Sequence, residues 1–272
     1  MRTSVEPLSF RLVGEGPALV LLHGLGASGE MFQPIWDQLA AHHQLLIPDL
    51  RGMGQSAQLP GPYTVEQLAA DVAGLLQTQG LASADVLGVS QGGTIAQQLA
   101  WRYPTRIRRL VLVCTYAYNL ASPRERLDAR LTPYLIRLIG PAALARLVIR
   151  PSLFGGAPMA LAQVRLLRRL LAATRKHQML AAYQAMTVFD SRSWLDQIRQ
   201  PTLIVCGSQD RAVPGWHAQV LARGIKGAEL REIQGAGHML IYTHAQQFID
   251  LLEAWLSESH DSASSRASGP SP

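Results

Sequence analysis

Asp85-Val86-Leu87-Gly88-Val89-Ser90-Gln91-Gly92-Gly93 passes from an apolar strand pattern into a helix through a glycine-flanked serine. An apolar run leads in, residues 94–100 continue in a helical pattern, and a serine stands between glycines at its minus-two and plus-two positions. That is the Gly-x-Ser-x-Gly context, in which a sharp strand-to-helix turn lifts a hydroxyl above the edge of a sheet. Side chains at Gly88 and Gly92 are expected to collide with the neighbouring strand and helix, so the turn requires glycine there. The letters alone carry little weight in a chain with 23 glycines. The strand before and the helix after give them meaning.

A serine hydroxyl is a weak nucleophile near neutral pH and needs a base, a group that orients the base, and donors for the oxyanion that forms. Of eight histidines, only His238 sits in a loop built to expose it, Gln234-Gly235-Ala236-Gly237-His238, whose glycines are expected to let it reach over the sheet edge. The orienting acid should end an intervening strand, and Asp210 follows the strand-like residues 202–206. A plainer reading makes Asp210 a turn residue bonded to its own backbone. The order Ser90, Asp210, His238 favours the catalytic reading, because chymotrypsin-like and subtilisin-like chains use other orders. For the oxyanion, the expected donors are the N–H of Gln91, directly after the serine, and the N–H of Leu25 in the loop after strand 18–23. His23 and Gly24 are assigned to shaping that loop.

Taken together these pieces resemble the α/β-hydrolase superfamily over residues 5–115 and 193–256. The resemblance rests on His23-Gly24-Leu25-Gly26, on Asp49, Arg51, Gly52, Gly54 and Ser56, on the Ser90 elbow, on Tyr103-Pro104, on Gly207 to Asp210, and on Gly237-His238. It implies a mostly parallel, doubly wound α/β sheet with an inserted helical cap, and a Ser90-Asp210-His238 triad acting through an acyl-enzyme. A carboxylesterase for small or medium hydrophobic acyl groups is the first expectation. A lactonase of the 3-oxoadipate enol-lactonase type, or a slowly hydrolysing small-molecule receptor, are the alternatives. Serine at position 90 disfavours dehalogenase and epoxide hydrolase chemistry, which in this superfamily uses a carboxylate. One competitor is a dinucleotide fingerprint, since Gly24, Gly26 and Gly29 are spaced G-x-G-x-x-G and Asp49 ends the next strand. It leaves Ser90, Asp210 and His238 unexplained.

Strand-like runs at 8–13, 18–23, 44–48, 84–89, 109–114, 202–206 and 228–233 alternate with helical segments at 31–41, 64–79, 91–102, 216–223 and 245–256. Alternation of this kind predicts a parallel sheet with helices on both faces. Thr64 to Gln67 reads as a capping box. Residues 116–200 contain no strand pattern and read as four helices, 120–139, 141–150, 158–173 and 176–189, separated by Gly140-Pro141, by a linker at 151–158 and by Thr174-Arg175, with Pro133 expected to kink or split the first. The boundaries are thus core 1–115, cap 116–200, core 201–256, and a polar tail 257–272 expected to be disordered.

With 48 % hydrophobic and 16 % charged residues, the chain can bury a large core. No apolar run is expected to reach the roughly 18–20 residues of a membrane span. The N-terminal residues lack a hydrophobic signal segment, so a cytoplasmic location is the default expectation. Cys114 and Cys206 end buried strands and are expected to be free packing residues. No Cys/His grouping has metal-ligand spacing, so no metal and no cofactor are expected. Residues 116–200 hold 13 Arg/Lys against 4 Asp/Glu, although the whole chain is only +6. That basic cap suits anionic substrates or an anionic membrane surface. The preferred reading is simpler, with arginines solvating the outer helix faces. Nucleic acid is not an expected partner, since no compact basic motif interleaves with aromatics.

Overall fold

The computed structural model describes residues 7–120, 122–149 and 156–267. Seven strands, β1 (Phe10–Val13), β2 (Ala18–Leu22), β3 (Gln44–Pro48), β4 (Ala84–Val89), β5 (Ile107–Val113), β6 (Thr202–Gly207) and β7 (Glu229–Ile233), form one sheet in the order β1-β3-β2-β4-β5-β6-β7. β1 pairs antiparallel with β3, and every other pairing is parallel. The expected doubly wound α/β architecture is therefore present. Because β2, β4, β6 and β7 run the same way, the loops after them emerge at one edge. The winding reverses between β2 and β4, and ligands in such sheets settle in the crevice at that switch point.

Side-chain alternation along the central strands splits the core in two. Val20 and Leu22 pack with α2 (Val65–Thr78), α3 (Gln91–Arg102) and α7 (Trp216–Gly224), whereas Leu19 and Leu21 pack with α1 (Gln33–Ala40) and α9 (Ala245–Ala267). A short α8 (Leu240–Thr243) precedes α9. The N-cap at Thr64 is half of the expected capping box. Its hydroxyl accepts the Gln67 N–H at 3.2 Å, but the Gln67 side chain turns to Asp71 instead. Asp71 is spent on a buried two-point pair with Arg51, 2.6 and 2.8 Å, which ties the loop after β3 to α2. The helix α9 runs past residue 256 to Ala267, so the tail is not without structure over 257–267. No glycine or proline interrupts that segment before Gly269, and an established helix extends cheaply through serine and alanine. Residues 268–272 lie outside the described ones.

Among the described residues, three α-helices stand between β5 and β6: α4 (Pro123–Val148), α5 (Leu161–Ala173) and α6 (Lys176–Val188). Gly140, at φ 72°, breaks α4 where Gly140-Pro141 was expected to separate two helices. Pro133 does not break it: the proline costs one backbone bond, and the packing of α4 on α5 and α6 holds the helix through that point. The expected linker at 151–158 lies mostly outside the described residues. The insertion's stems meet in a bridge between Tyr118 and Asp190, with the Ser191 N–H on the Ala117 carbonyl at 2.8 Å. His217 of α7 also reaches the cap, bonding Glu125 at 2.8 Å. By length and composition α4 passes for a membrane span, which the sequence reading did not anticipate, but it is split at Gly140.

Far from the loop edge, Asp85 near the start of β4 is fully buried between Arg109 at 2.6 Å and Arg108 at 2.9 Å. Burial pushes its carboxyl up, but the bonds from the two guanidiniums outweigh that and hold it below the usual range. Asp85→Ala strips the buried Arg109 of this carboxylate. A loss of about 3–5 kcal/mol is expected, read as a lower midpoint in urea unfolding.

Candidate active site

At the end of β4, Ser90 holds φ 55° and ψ −118°, a conformation that non-glycine residues rarely adopt. Three bonds enforce it. The Ser90 N–H donates to Val113 at 2.9 Å, and its carbonyl accepts the Gly93 N–H at 2.9 Å and the Thr115 hydroxyl at 2.7 Å. The glycines allow the close approach this needs. A Cβ on Gly88 would strike the Gly92 carbonyl, one on Gly92 the Leu22 carbonyl of β2, and one on Gly93 the Thr115 side chain. The third glycine thus has a steric task that the five-residue motif does not include.

Asp210 and His238 come together from the loops after β6 and β7. The loops are stitched by the Ser208 N–H on Ile233 at 3.1 Å and the Gln209 N–H on Ala236 at 2.8 Å. Asp210 Oδ1 accepts the Ala212 and Val213 N–H groups, each at 2.8 Å, while Oδ2 accepts from His238 Nδ1 at 2.8 Å. Each oxygen thus has its own partners, the turn backbone on Oδ1 and the imidazole on Oδ2. A bond from Nδ1–H leaves Nε2 as the basic nitrogen. His238 is only 7 % exposed: its loop brings it over the sheet edge, but beneath the cap rather than into solvent.

Ser90 and His238 line one cavity of about 310 Å³, floored by Gly24, Leu25 and Met239 and roofed by residues of α4, α5 and α6 including Leu135, Ile136, Leu144, Leu171 and Met179. Leu25 follows Gly24, whose backbone lies against Ser90: a Cβ there would be 3.4 Å from the serine Cβ. Gln91 is the first residue of α3, and N–H groups of a helix's first turn have no partner within the helix. Gln91 thus directly follows the serine, and Leu25 lines the same cavity as Ser90. A larger cleft of about 530 Å³ lies by β1 and Asp49 and contains none of Ser90, Asp210 or His238. Asp49 there is committed to the Gly29 and Gln55 N–H groups, both at 2.7 Å, so the carboxylate of the competing dinucleotide fingerprint holds loops together.

His23 is fully buried, with Nδ1 on the Gly24 carbonyl at 2.9 Å and Nε2 accepting the Leu50 N–H at 3.0 Å. Burial pulls its pKa down, so it is a neutral strut. Cys114 was expected to be packing alone, yet its sulfur lies with the Asp210 and His238 ligand atoms within 4.8 Å of one another. Burial first, then the Asp210 charge, pushes its thiol well above the ordinary range. It therefore stands as S–H, a weak donor beside the carboxylate. The Gln91 side chain also escaped the sequence reading: its amide donates to the Ala182 carbonyl of α6 at 3.1 Å, tying the elbow to the cap.

Fold, elbow and loop order define an α/β hydrolase, and the family model for the alpha/beta hydrolase fold matches residues 17–245. The chain belongs to that family. It is 28 % identical to a putative carbamate hydrolase, RutD, of Azorhizobium caulinodans, over 92 % of this chain and 95 % of that one. It is likewise 28 % identical to a poly(3-hydroxyalkanoate) depolymerase of Ectopseudomonas oleovorans, over 97 % and 91 %. Among solved structures, an enol-lactonase from Burkholderia xenovorans is 30 % identical with TM-score 0.81, covering 92 % of this chain and 96 % of that one. An esterase from Thermogutta terrifontis is 26 % identical with TM-score 0.81, over 93 % and 94 %. Hydrolysis is the reaction class these names share.

Proposed function

We propose that the protein is a serine carboxylic-ester hydrolase acting on small to medium apolar acyl groups. The observation that carries this reading is that one largely apolar cavity contains both Ser90 and His238, with the imidazole anchored by Asp210. The Ser90 oxygen attacks the ester carbonyl carbon as its proton passes to His238 Nε2. Asp210 holds the Nδ1–H tautomer and stabilises the imidazolium. Negative charge on the carbonyl oxygen is met by the Leu25 and Gln91 N–H groups. Collapse breaks the ester bond, and the departing alkoxide takes the proton from His238. Water, deprotonated by the same imidazole, then releases the acid from Ser90.

A lactone is an ester closed on itself, and the likeness to an enol-lactonase makes it the second reading. The described cavity lining contains no arginine or lysine, which disfavours a lactone bearing a carboxylate such as 3-oxoadipate enol-lactone. Turnover on p-nitrophenyl esters of graded chain length, with 3-oxoadipate enol-lactone alongside, tests the assignment. Medium acyl chains should outpace acetate, because each buried methylene adds about 0.8 kcal/mol of binding. Leu144→Trp, which fills the cavity, should move the preferred ester towards acetate and leave acetate turnover within a few-fold. Faster turnover of the lactone would replace the ester reading, and serine labelling with negligible turnover of either would point to a receptor.

A further inference from the structure

The cap carries a surface that neither the fold nor the reaction uses. On the half of α4 before Gly140, Leu127, Leu131, Tyr134 and Leu138 are 55, 49, 68 and 81 % exposed. Their spacing of four, three and four residues places them on one face of the helix. An ordinary amphipathic helix turns such a stripe to the core. Here the stripe faces outward, and the helix gives the cavity Thr132 and Ile136 from its other side. Leu135 belongs to both, being 38 % exposed while lining the cavity, so the stripe adjoins the substrate chamber.

A second row accompanies the first, because an arginine directly precedes each stripe leucine: Arg126-Leu127, Arg130-Leu131 and Arg137-Leu138. All three arginines are exposed, and they form a basic line along one flank of the apolar one. Asp128, the acid nearest this face, is matched by Arg124 at 3.8 Å. We propose that this face docks on an anionic lipid surface, with the leucines and Tyr134 entering the acyl boundary and the arginines reaching lipid phosphates. Helices of this composition lie in the interface plane. Residues 123–139 make only roughly 25 Å of helix, too short for the hydrocarbon core. A second copy is the poorer occupant, since residues 116–200 carry +9 and two such caps repel. Docking stands apart from the Ser90 chemistry and is read by binding alone.

The test is cosedimentation of the full chain with vesicles of phosphatidylcholine, with and without phosphatidylglycerol. Binding should be at least about tenfold stronger to the anionic vesicles and fall as salt is raised. Joint replacement Leu127→Ser, Leu131→Ser, Leu138→Ser should lower it by about tenfold or more. Joint replacement Arg126→Gln, Arg130→Gln, Arg137→Gln should lower it by about a hundredfold. None of these six lines the cavity, so turnover of a soluble short-chain ester should be unchanged in both variants, which also reports that they fold. Equal binding to both vesicle types, or undiminished binding by the leucine variant, overturns the proposal. So does a concentration-dependent dimer in light scattering that the leucine variant abolishes, since a second copy would then cover the face.

Discussion

Ser90→Ala is expected to lower kcat on the preferred p-nitrophenyl ester by about 10⁶, the scale found when a triad nucleophile is removed. The loss is so large because, in the proposed reaction, the Ser90 oxygen itself forms the acyl-enzyme bond. Removing one oxygen from a half-exposed position creates almost no cavity, and alanine still faces the positive φ that Val113, Gly93 and Thr115 impose. Stability should therefore change by less than about 1 kcal/mol. Residual activity should reflect only the oxyanion donors and binding, about 10³–10⁴ over water. A purified variant keeping more than about one hundredth of wild-type kcat would remove Ser90 from the mechanism.

The second large effect comes from a residue that never touches substrate. Asp210→Asn should cost about 10⁴ in kcat with KM little changed. Asparagine preserves the shape, and its Oδ1 can still accept the Ala212 and Val213 N–H groups that anchor the turn. Its amide then presents a donor to His238 Nδ1, which must become the acceptor. The ring proton moves to Nε2, and the nitrogen facing Ser90 can no longer take a proton. A merely structural aspartate predicts the opposite, a drop in unfolding midpoint with kcat preserved. Steady-state kinetics and urea unfolding on one preparation distinguish the two.

Much of this arrangement was legible beforehand because its constraints are local. Gly88 and Gly92 announce the elbow since a Cβ at either meets backbone that cannot yield. The parallel sheet follows from alternation, and once β4, β6 and β7 run parallel, Ser90, Asp210 and His238 emerge at one edge. What escaped depends on distant pairings with no sequence period. Asp85 with Arg108 and Arg109, His217 with Glu125, and Cys114 behind Asp210 meet only after the sheet and cap assemble. The outward stripe of α4 shows the limit most clearly, because periodicity reports that a helix has an apolar face but not whether protein covers it.

In the proposed reaction His238 makes Ser90 nucleophilic, and the rate and position of labelling by a fluorophosphonate, followed by peptide mass mapping, read this without a substrate. A single adduct on Ser90, forming at least about 10³ more slowly in His238→Ala, is the expected result. An adduct elsewhere, or labelling of Ser90 at an unchanged rate without the imidazole, would mean that His238 does not activate it.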